Sequence, residues 1–478
     1  MFIILKIIIN DNTINMNNYI KRIKNEFASS PDLVIKKINI NLLHKVYVIF
    51  LDTLSSQDKI NDYILKKLVN INLIFNIENI LPGGNVVKLK KYDEIEYYLY
   101  NGFTIVIDNK NIYAVETRAD IVRSISTNET EPSIKGPKSA FVENFQINIG
   151  LIKKRIKNHH LKIKNITIGR ISNINVGILY IDNIAKKELI ETVYQKLESV
   201  DIDLINDSAD LYPYLTKKSI FPTLIYTERP DRCADALASG KIVIICDESP
   251  NAIILPAFLV DFLHPYSDRY NKSVNINLTK IIRLICFFLS IMVPAFYISI
   301  INYNQEAIPT SLIINFATQR SDIPFPAVIE CFMMLIICEI LRESDLRFPT
   351  KYGSSVSVLG ALLIGEAAVS AGLVTPIMII ITAFTYISSL IFTDIEIGNA
   401  IRTYRFIFLI ISAMFGLYGF MITFIFFILN LCDTKSFDFF YTFPISPFDN
   451  SYFKDVFFKL KNNLRSKYLT KNITKEKL

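Results

Sequence analysis

The pattern of hydrophobic residues divides the chain into two parts. Between about Leu278 and Cys432 lie four long apolar runs with few charges: Ile281–Ile301, Ile323–Leu341, Ser354–Phe392 and Phe406–Leu431. A helix crosses a bilayer with about 20 mostly apolar residues, and the third run is long enough for two such helices. We therefore predict an all-α transmembrane domain with several spans over residues 276–432, followed by a basic tail over residues 433–478.

The part before these runs repeats one order of elements. Each copy is predicted to contain a strand ending at an aspartate, a helix, a second helix ending at a glycine, and two more strands. The first copy comprises Val46–Leu51, Gln57–Val69, Asp93–Tyr100, Phe103–Ile107 and Asn111–Glu116. The second copy comprises Val176–Ile181, Lys186–Leu197, Asp231–Ser239, Lys241–Cys246 and Ala252–Leu255.

Matched residues support the repeat, because Asp52 corresponds to Asp182 and Gly102 to Gly240. We predict a soluble N-terminal region of two related α/β subdomains, residues 46–130 and 131–275. The alternative is a chance similarity between two α/β stretches. Residues 1–45 are predicted to form a poorly ordered arm or a short helix around Asn18–Phe27.

A further helix is predicted between the two copies, over Phe141–Ile156. It follows a linker punctuated by Pro132, Gly136 and Pro137 and ends in the basic residues 153–155. Basic side chains at this end suit the helix dipole, and the alternative is a basic patch that faces a membrane.

The composition agrees with a soluble part joined to a membrane part. The 478 residues are 51% hydrophobic and 20% charged, with a net charge of +7 carried mostly by lysines outside the apolar runs. Such lysines usually form a solvated surface, and some are expected to face anionic membrane lipid on the cytoplasmic side. We expect no nucleic-acid partner. The apolar start, Met1–Ile9, is too short for a signal peptide, so the soluble part is expected to be cytoplasmic.

The chain carries no recognisable catalytic or metal-binding motif. Its six cysteines include no CxxC pair, which is typical of a reducing compartment, and no Walker loop, GxGxxG, HExxH or GxSxG sequence occurs. His159, His160 and His264 have no acidic partners nearby in sequence, so we interpret them as surface or headgroup-level residues. We therefore predict a protein that is not an enzyme, without catalytic residues, cofactor or metal.

Three charged residues in or directly after the second apolar run are candidate intramembrane charges: Glu330, Glu339 and Arg342. A charge in hydrocarbon costs about 2.5–3.5 kcal/mol, so such groups normally face a partner or a water-filled path. The segments around Arg342 and Arg347, and around Arg402 and Arg405, are interpreted as cytoplasmic loops. We expect both termini inside, with one run, Ile323–Leu341, not fully crossing.

A stripe of small residues marks the third run. Ala361, Gly365, Ala368 and Gly372 recur at helical spacing, and Glu366 lies beside them. Small residues allow helices to approach closely, so these five residues are candidates for subunit packing or for lining a pore. The alternative is ordinary helix packing, with Glu366 neutralised by a neighbour.

Several short blocks together resemble the GerA family, the A subunits of spore germinant receptors. The first is Glu131-Pro132-Ser133-Ile134-Lys135-Gly136-Pro137, and the next is Tyr226-Thr227-Glu228-Arg229-Pro230-Asp231. Within the apolar part the blocks are Pro309-Thr310-Ser311-Leu312, Pro324-Phe325-Pro326, Gly360-Ala361-Leu362 and Ala371-Gly372-Leu373-Val374. The resemblance extends from about Glu131 to Pro447.

This resemblance implies a subunit of a nutrient-sensing complex in the spore inner membrane. Its expected partners are a transporter-like B subunit, a lipoprotein C subunit and further copies of itself. The expected role is to convert nutrient sensing into monovalent cation release, as an oligomeric ion channel. The alternatives are a GerA-like paralogue that amplifies germination with a different membrane partner, and a secondary transporter or membrane enzyme that uses Glu330, Glu339 and Glu366 as working carboxylates.

Overall fold

The computed structural model describes residues 16–27, 30–40, 45–69, 85–89, 91–108, 111–119, 131, 135–270, 273–347, 364–450 and 452–454. These residues fall into two units. The α/β unit comprises the residues up to 217 together with 224–256, and the helical unit comprises residues 218–223 and 257–464.

The α/β unit contains two five-stranded antiparallel sheets. The first has the order β1-β2-β4-β5-β3, with strands β1 Leu33–Asn39, β2 Lys45–Leu51, β3 Val86–Leu89, β4 Phe103–Ile107 and β5 Ile112–Glu116. The second has the order β6-β7-β9-β10-β8, with β6 Leu161–Ile168, β7 Ile174–Ile181, β8 Ile225–Thr227, β9 Ile242–Cys246 and β10 Ala252–Leu255. The central strands are almost wholly buried, as their continuous apolar sequences require.

Helices accompany the strands in the same order in both copies. The longer ones are α1 Met16–Glu26, α3 Asp93–Tyr100, α4 Phe145–Arg155, α5 Lys187–Glu198 and α7 Pro230–Ala238, and α6, Tyr212–Leu215, is a single turn. Between α1 and α3, α2 consists of Gln57–Ile60, a π-helical turn Asn61–Leu65, and Lys66–Val69. One helix begins later than predicted, because the Asn144 side chain accepts a hydrogen bond from the Ile147 N–H and caps α4 at Phe145.

The predicted relation between the two α/β subdomains is confirmed by strand register. In the first sheet Ile49 pairs with Ile105, and in the second Leu179 pairs with Val243. The matched glycines, Gly102 and Gly240, both end a helix with a left-handed backbone, at φ +78° and +89°. Shared strand order and pairing therefore favour duplication over chance similarity.

The N-terminal region contains the predicted short helix around Asn18–Phe27, and it also contains a strand that was not predicted. Residues 16–26 form α1, and Leu33–Asn39 forms β1, which pairs with β2 along its length. The lysines in LVIKKIN lie at exposed positions of this strand, so its sequence has a weak apolar pattern. The expected arm over residues 1–15 lies outside the described residues.

The second unit is helical. Its helices are α8 Leu259–Leu263, α9 Ser273–Tyr303, α10 Thr310–Arg320, α11 Ala327–Arg347, α12 over residues 364–370, α13 Pro376–Leu390 and α14 Ile395–Asp433. Two segments, Ile276–Tyr303 and Ile395–Asp433, are long and apolar enough to cross a membrane, and α13 is a shorter apolar helix. The buried apolar core joins α9, α11, α13 and α14 through residues that include Ile298, Cys331, Leu335, Met378 and Leu409.

The last apolar run belongs to a helical hairpin, so Ile395–Asp433 is not one continuous span. Tyr404 donates a hydrogen bond of 2.8 Å to the side chain of Asn430, which is 26 residues away. In a straight helix those residues would be about 39 Å apart. The reversal occurs at Gly416, whose φ of +59° and ψ of −141° break the helix. Residues 395–415 and 417–433 are therefore two antiparallel arms.

Both chain segments that flank the helices lie together. After α14, the short strands β11 Lys435–Ser436 and β12 Phe439–Phe440 pair, and the Ser436 hydroxyl donates to the Thr223 carbonyl at 2.8 Å. The Leu259 N–H donates to the Tyr441 carbonyl at 2.9 Å. The chain thus leaves the helical bundle at the end where it entered.

Candidate functional site

Charged residues form a cluster inside the helical bundle. Glu339 of α11 lies 2.8 Å from Arg402 and 3.6 Å from Arg405, both in the first arm of α14. Only 1% of the Arg405 side chain is exposed, and its Nε donates at 2.7 Å to the Ser290 carbonyl of α9. The prediction that Arg402 and Arg405 lie in a loop is therefore wrong, since both lie within a packed helix.

Arg342 completes this group, which we call the arginine cluster: Arg342, Arg402 and Arg405 around Glu339. Arg342 lies over Gly398, where an added Cβ would be 3.0 Å from its Nη2. A glycine at this position leaves room for the guanidinium against the backbone of α14. The ion pairs of Glu339 run across from α11 to α14.

Glu330 is separate from the cluster. It is 1% exposed, and one carboxylate oxygen accepts hydrogen bonds of 2.5 Å from both the N–H and the hydroxyl of Thr375. Thr375 is the N-cap of α13, so this carboxylate binds the positive end of that helix. Glu330 therefore links the N-terminal ends of α11 and α13 through these hydrogen bonds.

The small-residue stripe is only partly a packing surface. Ala361 lies outside the described residues. Ala368 is buried in the core, whereas Gly365 is half-buried and Glu366 is exposed. Gly372 ends the helix with φ +62°, and the Leu373 N–H donates to the Ala368 carbonyl, as in a left-handed C-cap. Gly372 is thus needed for the turn into α13 rather than for a continuing stripe.

Sequence reasoning missed Arg402, Arg405 and Thr375. The two arginines are three residues apart, a spacing that places them on one helix face, and they directly precede an apolar run. That spacing was the available signal. Thr375-Pro376 was also a signal, because a threonine before a proline is typical of a helix N-cap.

The two sequence blocks in the α/β unit contact each other. Glu131 accepts a 2.7 Å hydrogen bond from the Thr227 hydroxyl and forms an ion pair with Arg232. Arg229 is buried and donates to both oxygens of Asp231, at 3.1 and 2.7 Å. Bidentate, fully buried pairs of this kind hold a fold together and leave no carboxylate open for chemistry.

A second buried ion pair joins the two α/β subdomains. The Lys153 ammonium contacts Asp32 and donates to Ser30 at 2.8 Å, with 1% and 4% of the two charged side chains exposed. Burial raises the pKa of Asp32, but the Lys153 charge and the hydrogen bonds from Lys153, Thr53 and Ser30 outweigh it, so the pKa is lowered overall. Lys153 is therefore not part of a basic patch that faces a membrane.

The histidines and cysteines of the chain offer no reactive centre in the described residues. His159 lies at the surface, 31% exposed and 2.9 Å from Glu96, and burial lowers the pKa of His264 to about 4. Burial raises the pKa of the Cys233 and Cys246 thiols. No group of three or more metal-ligating side chains occurs in the part of the chain that the structure describes.

Comparison with known proteins places the chain among proteins of spore germination. Residues 21–468 match the family described as Bacillus/Clostridium GerA spore germination protein. Spore germination protein KA of Bacillus subtilis (strain 168) is 35% identical over 450 residues, covering 91% of this chain and 83% of that protein. Spore germination protein GerQA of Bacillus cereus is 31% identical over 455 residues, covering 94% and 91%.

A solved structure is also similar. It is the crystal structure of the N-terminal domain of the A subunit of the Bacillus megaterium spore germinant receptor GerK3. It covers 53% of this chain and 99% of its own length, at 23% identity and a TM-score of 0.41.

Proposed function

Because this chain belongs to the GerA family of spore germination proteins, we propose that it is the A subunit of a spore germinant receptor. In this role its helices cross the spore inner membrane, and its α/β unit lies on the core side. It converts nutrient sensing into the release of monovalent cations, as an oligomeric ion channel. Its partners are a transporter-like B subunit, a lipoprotein C subunit and further copies of itself.

The observation that carries the channel proposal is the uncovered face of α12. Gly365 is half-buried, and Glu366 and Ala367 are exposed in the single chain. A carboxylate facing lipid costs free energy, whereas small residues allow a second helix to approach closely. Further copies of the chain would cover this face and surround Glu366 with water and protein. We therefore assign α12 to the seam between subunits and to the ion path.

Two contacts favour this role over a secondary transporter. A transporter would use carboxylates that exchange protons or substrate during its cycle. Glu330 is held by two hydrogen bonds from Thr375, and Glu339 is paired with Arg402. Both carboxylates therefore stabilise the packing of the helices. Glu366 is the exposed carboxylate of the three.

The test is potassium efflux from liposomes that contain the full receptor, with Gly365→Leu as the decisive variant. An added Cβ at Gly365 would meet only Ile379 Cδ1, at 4.0 Å, so the single chain has room for a side chain there. We expect this variant to fold and to lose nutrient-dependent efflux, because the leucine blocks the seam. Ala368→Leu is less informative, since Ala368 is already buried in the chain's own core.

A matched control is Tyr418→Leu, which changes a side chain that is 84% exposed near the hairpin turn. It should retain efflux. Normal efflux from the Gly365→Leu receptor would contradict the assignment of α12 to the seam. Efflux that needs a membrane partner other than the B and C subunits would instead indicate the amplifying paralogue.

A further inference from the structure

The arginine cluster carries more positive charge than the chain neutralises. Arg402 and Arg405 pair with the single carboxylate of Glu339, and Arg342 lies over Gly398 of the same helix, α14. Arg405 Nη2 is buried and has no hydrogen-bond partner among the described residues, and Arg342 has no ion-pair or hydrogen-bond partner among them either. Residues 348–363, which follow α11, contain no aspartate or glutamate.

Nearby acidic residues are already engaged. Glu343 pairs with Arg347 at 2.7 Å, and Asp394 caps α14 by accepting from the N–H groups of Glu396 and Ile397. A buried guanidinium without a matched charge is strongly unfavourable in a low-dielectric bundle. Among the described residues, the cluster therefore has unmatched positive charge, which an anion from outside the chain would neutralise.

The position of the cluster indicates where that charge comes from. Arg402 lies about 10 Å from the start of α14, and Arg342 about 8 Å from the end of α11, at 1.5 Å per residue. From such positions an arginine side chain can reach the headgroup layer. Helices α11, α13 and α14 expose large apolar side chains: Ile336, Ile340, Ile387, Leu390 and Ile395.

We propose that Arg342 and Arg402 bind the phosphate of an anionic phospholipid, whose acyl chains lie along these exposed isoleucines and Leu390. Basic pockets between membrane helices bind anionic headgroups in this way. The bound phosphate supplies the charge that Glu339 alone does not, and it holds α11 against α14. This inference rests on the membrane insertion proposed above.

The experiment uses the full chain reconstituted in vesicles of equal parts phosphatidylcholine and phosphatidylglycerol, then extracted gently in detergent. Mass spectrometry measures the lipid that remains bound. We expect phosphatidylglycerol to be enriched about tenfold on the wild-type chain, since each arginine adds to the attraction. The double variant Arg342→Gln/Arg402→Gln should lose most of this enrichment, while the control Arg320→Gln, which changes an arginine on α10, should keep it.

Other outcomes would overturn the proposal. Wild-type protein without a preference for phosphatidylglycerol contradicts it directly, and this readout does not depend on the variants folding. Displacement of the lipid by inorganic phosphate would assign the site to a free anion instead. A change of oligomeric state in the double variant, with lipid binding intact, would assign the cluster to a contact between copies. Loss of the lipid preference in a receptor that still conducts would leave the proposed channel function standing.

Discussion

Buried ion pairs of the two units differ in how many cations share one carboxylate. In the α/β unit, the buried cations Lys153 and Arg229 are each matched by a buried carboxylate, Asp32 and Asp231. In the helical unit, Arg402 and Arg405 share Glu339, and Arg342 has no ion pair among the described residues. The first arrangement is complete within the chain, and the second is not. These pairs make the α/β unit a closed scaffold, whereas the helical unit carries surplus positive charge that we propose other molecules neutralise.

The largest expected loss of stability is in the α/β unit. Asp32→Asn should destabilise the α/β unit by about 3–5 kcal/mol, because it leaves Lys153 buried without a matching charge. Hydrogen exchange of the β1 and β2 amides in the full chain measures this loss. Replacing both residues, Lys153→Met with Asp32→Leu, should restore most of it. Lys66→Ala, which breaks an exposed pair with Asp62, should leave the exchange unchanged.

The same pair predicts a pH dependence. The pKa of Asp32 is lower in the folded protein than its unfolded value, which is about 3.9. Its stabilising contribution is therefore fully present above about pH 4 and is lost as pH falls through the lowered folded pKa. The stability difference between wild type and Asp32→Asn should shrink across that acidic range. A constant difference down to acid unfolding would show that the pair does not titrate with folding.

In the arginine cluster, removing the carboxylate and removing one arginine should affect stability differently. Glu339→Gln should cost about 3 kcal/mol, the low end of the range for a broken buried pair, because Glu339 is 19% exposed. Arg342→Gln should cost nothing measurable in neutral detergent, since it removes surplus positive charge. Unfolding titrations in mixed micelles measure both. Equal losses in the two variants would mean that the cluster is balanced within the chain.

A smaller effect is expected at the turn of the helical hairpin. Gly416→Ala should destabilise the bundle by about 1–3 kcal/mol, because the backbone there is one that side chains rarely adopt. An added Cβ would also lie 2.8 Å from Tyr303 Cγ. Thermal unfolding in detergent measures the loss. Gly365→Ala is the matched control, since it has space, and should change little.

The smallest effect comes from the tyrosine that covers this turn. The Tyr303 hydroxyl donates to the carbonyls of Ala413 at 2.8 Å and Met414 at 3.1 Å, which the break at Gly416 leaves without helical partners. Tyr303→Phe should therefore cost about 1 kcal/mol. The same thermal measurement checks it, and an unchanged midpoint would show that these carbonyls find other donors.

Sequence patterns predicted the two units better than the connections within them. The buried strands β2, β4, β7 and β9 were predictable because their apolar residues are continuous. β1 was not, since Lys36 and Lys37 interrupt its pattern at a sheet edge. The hairpin at Gly416 was hidden because a glycine within an apolar run does not by itself distinguish a turn from close helix packing.

The candidate site was predictable in part for the same reason. A glutamate in an apolar run is conspicuous, so Glu330 and Glu339 were found from the sequence. Their partners depend on which helices pack together, and periodicity contains no information about neighbours. Arg405 was assigned to a loop because a charge at the edge of an apolar run normally marks its end. In the structure it lies against the Ser290 carbonyl instead.

The most direct test of the proposal that α12 lies between subunits is cross-linking between copies of the chain at this helix. A cysteine placed at Ala367, which is exposed in the single chain, should form cross-links between chains in intact membranes. A cysteine at Tyr418, on the exposed hairpin turn, should not. We expect a ladder of cross-linked oligomers from Ala367→Cys in a receptor that still conducts. Chains that remain uncross-linked at this position, with normal cation efflux, would contradict the account.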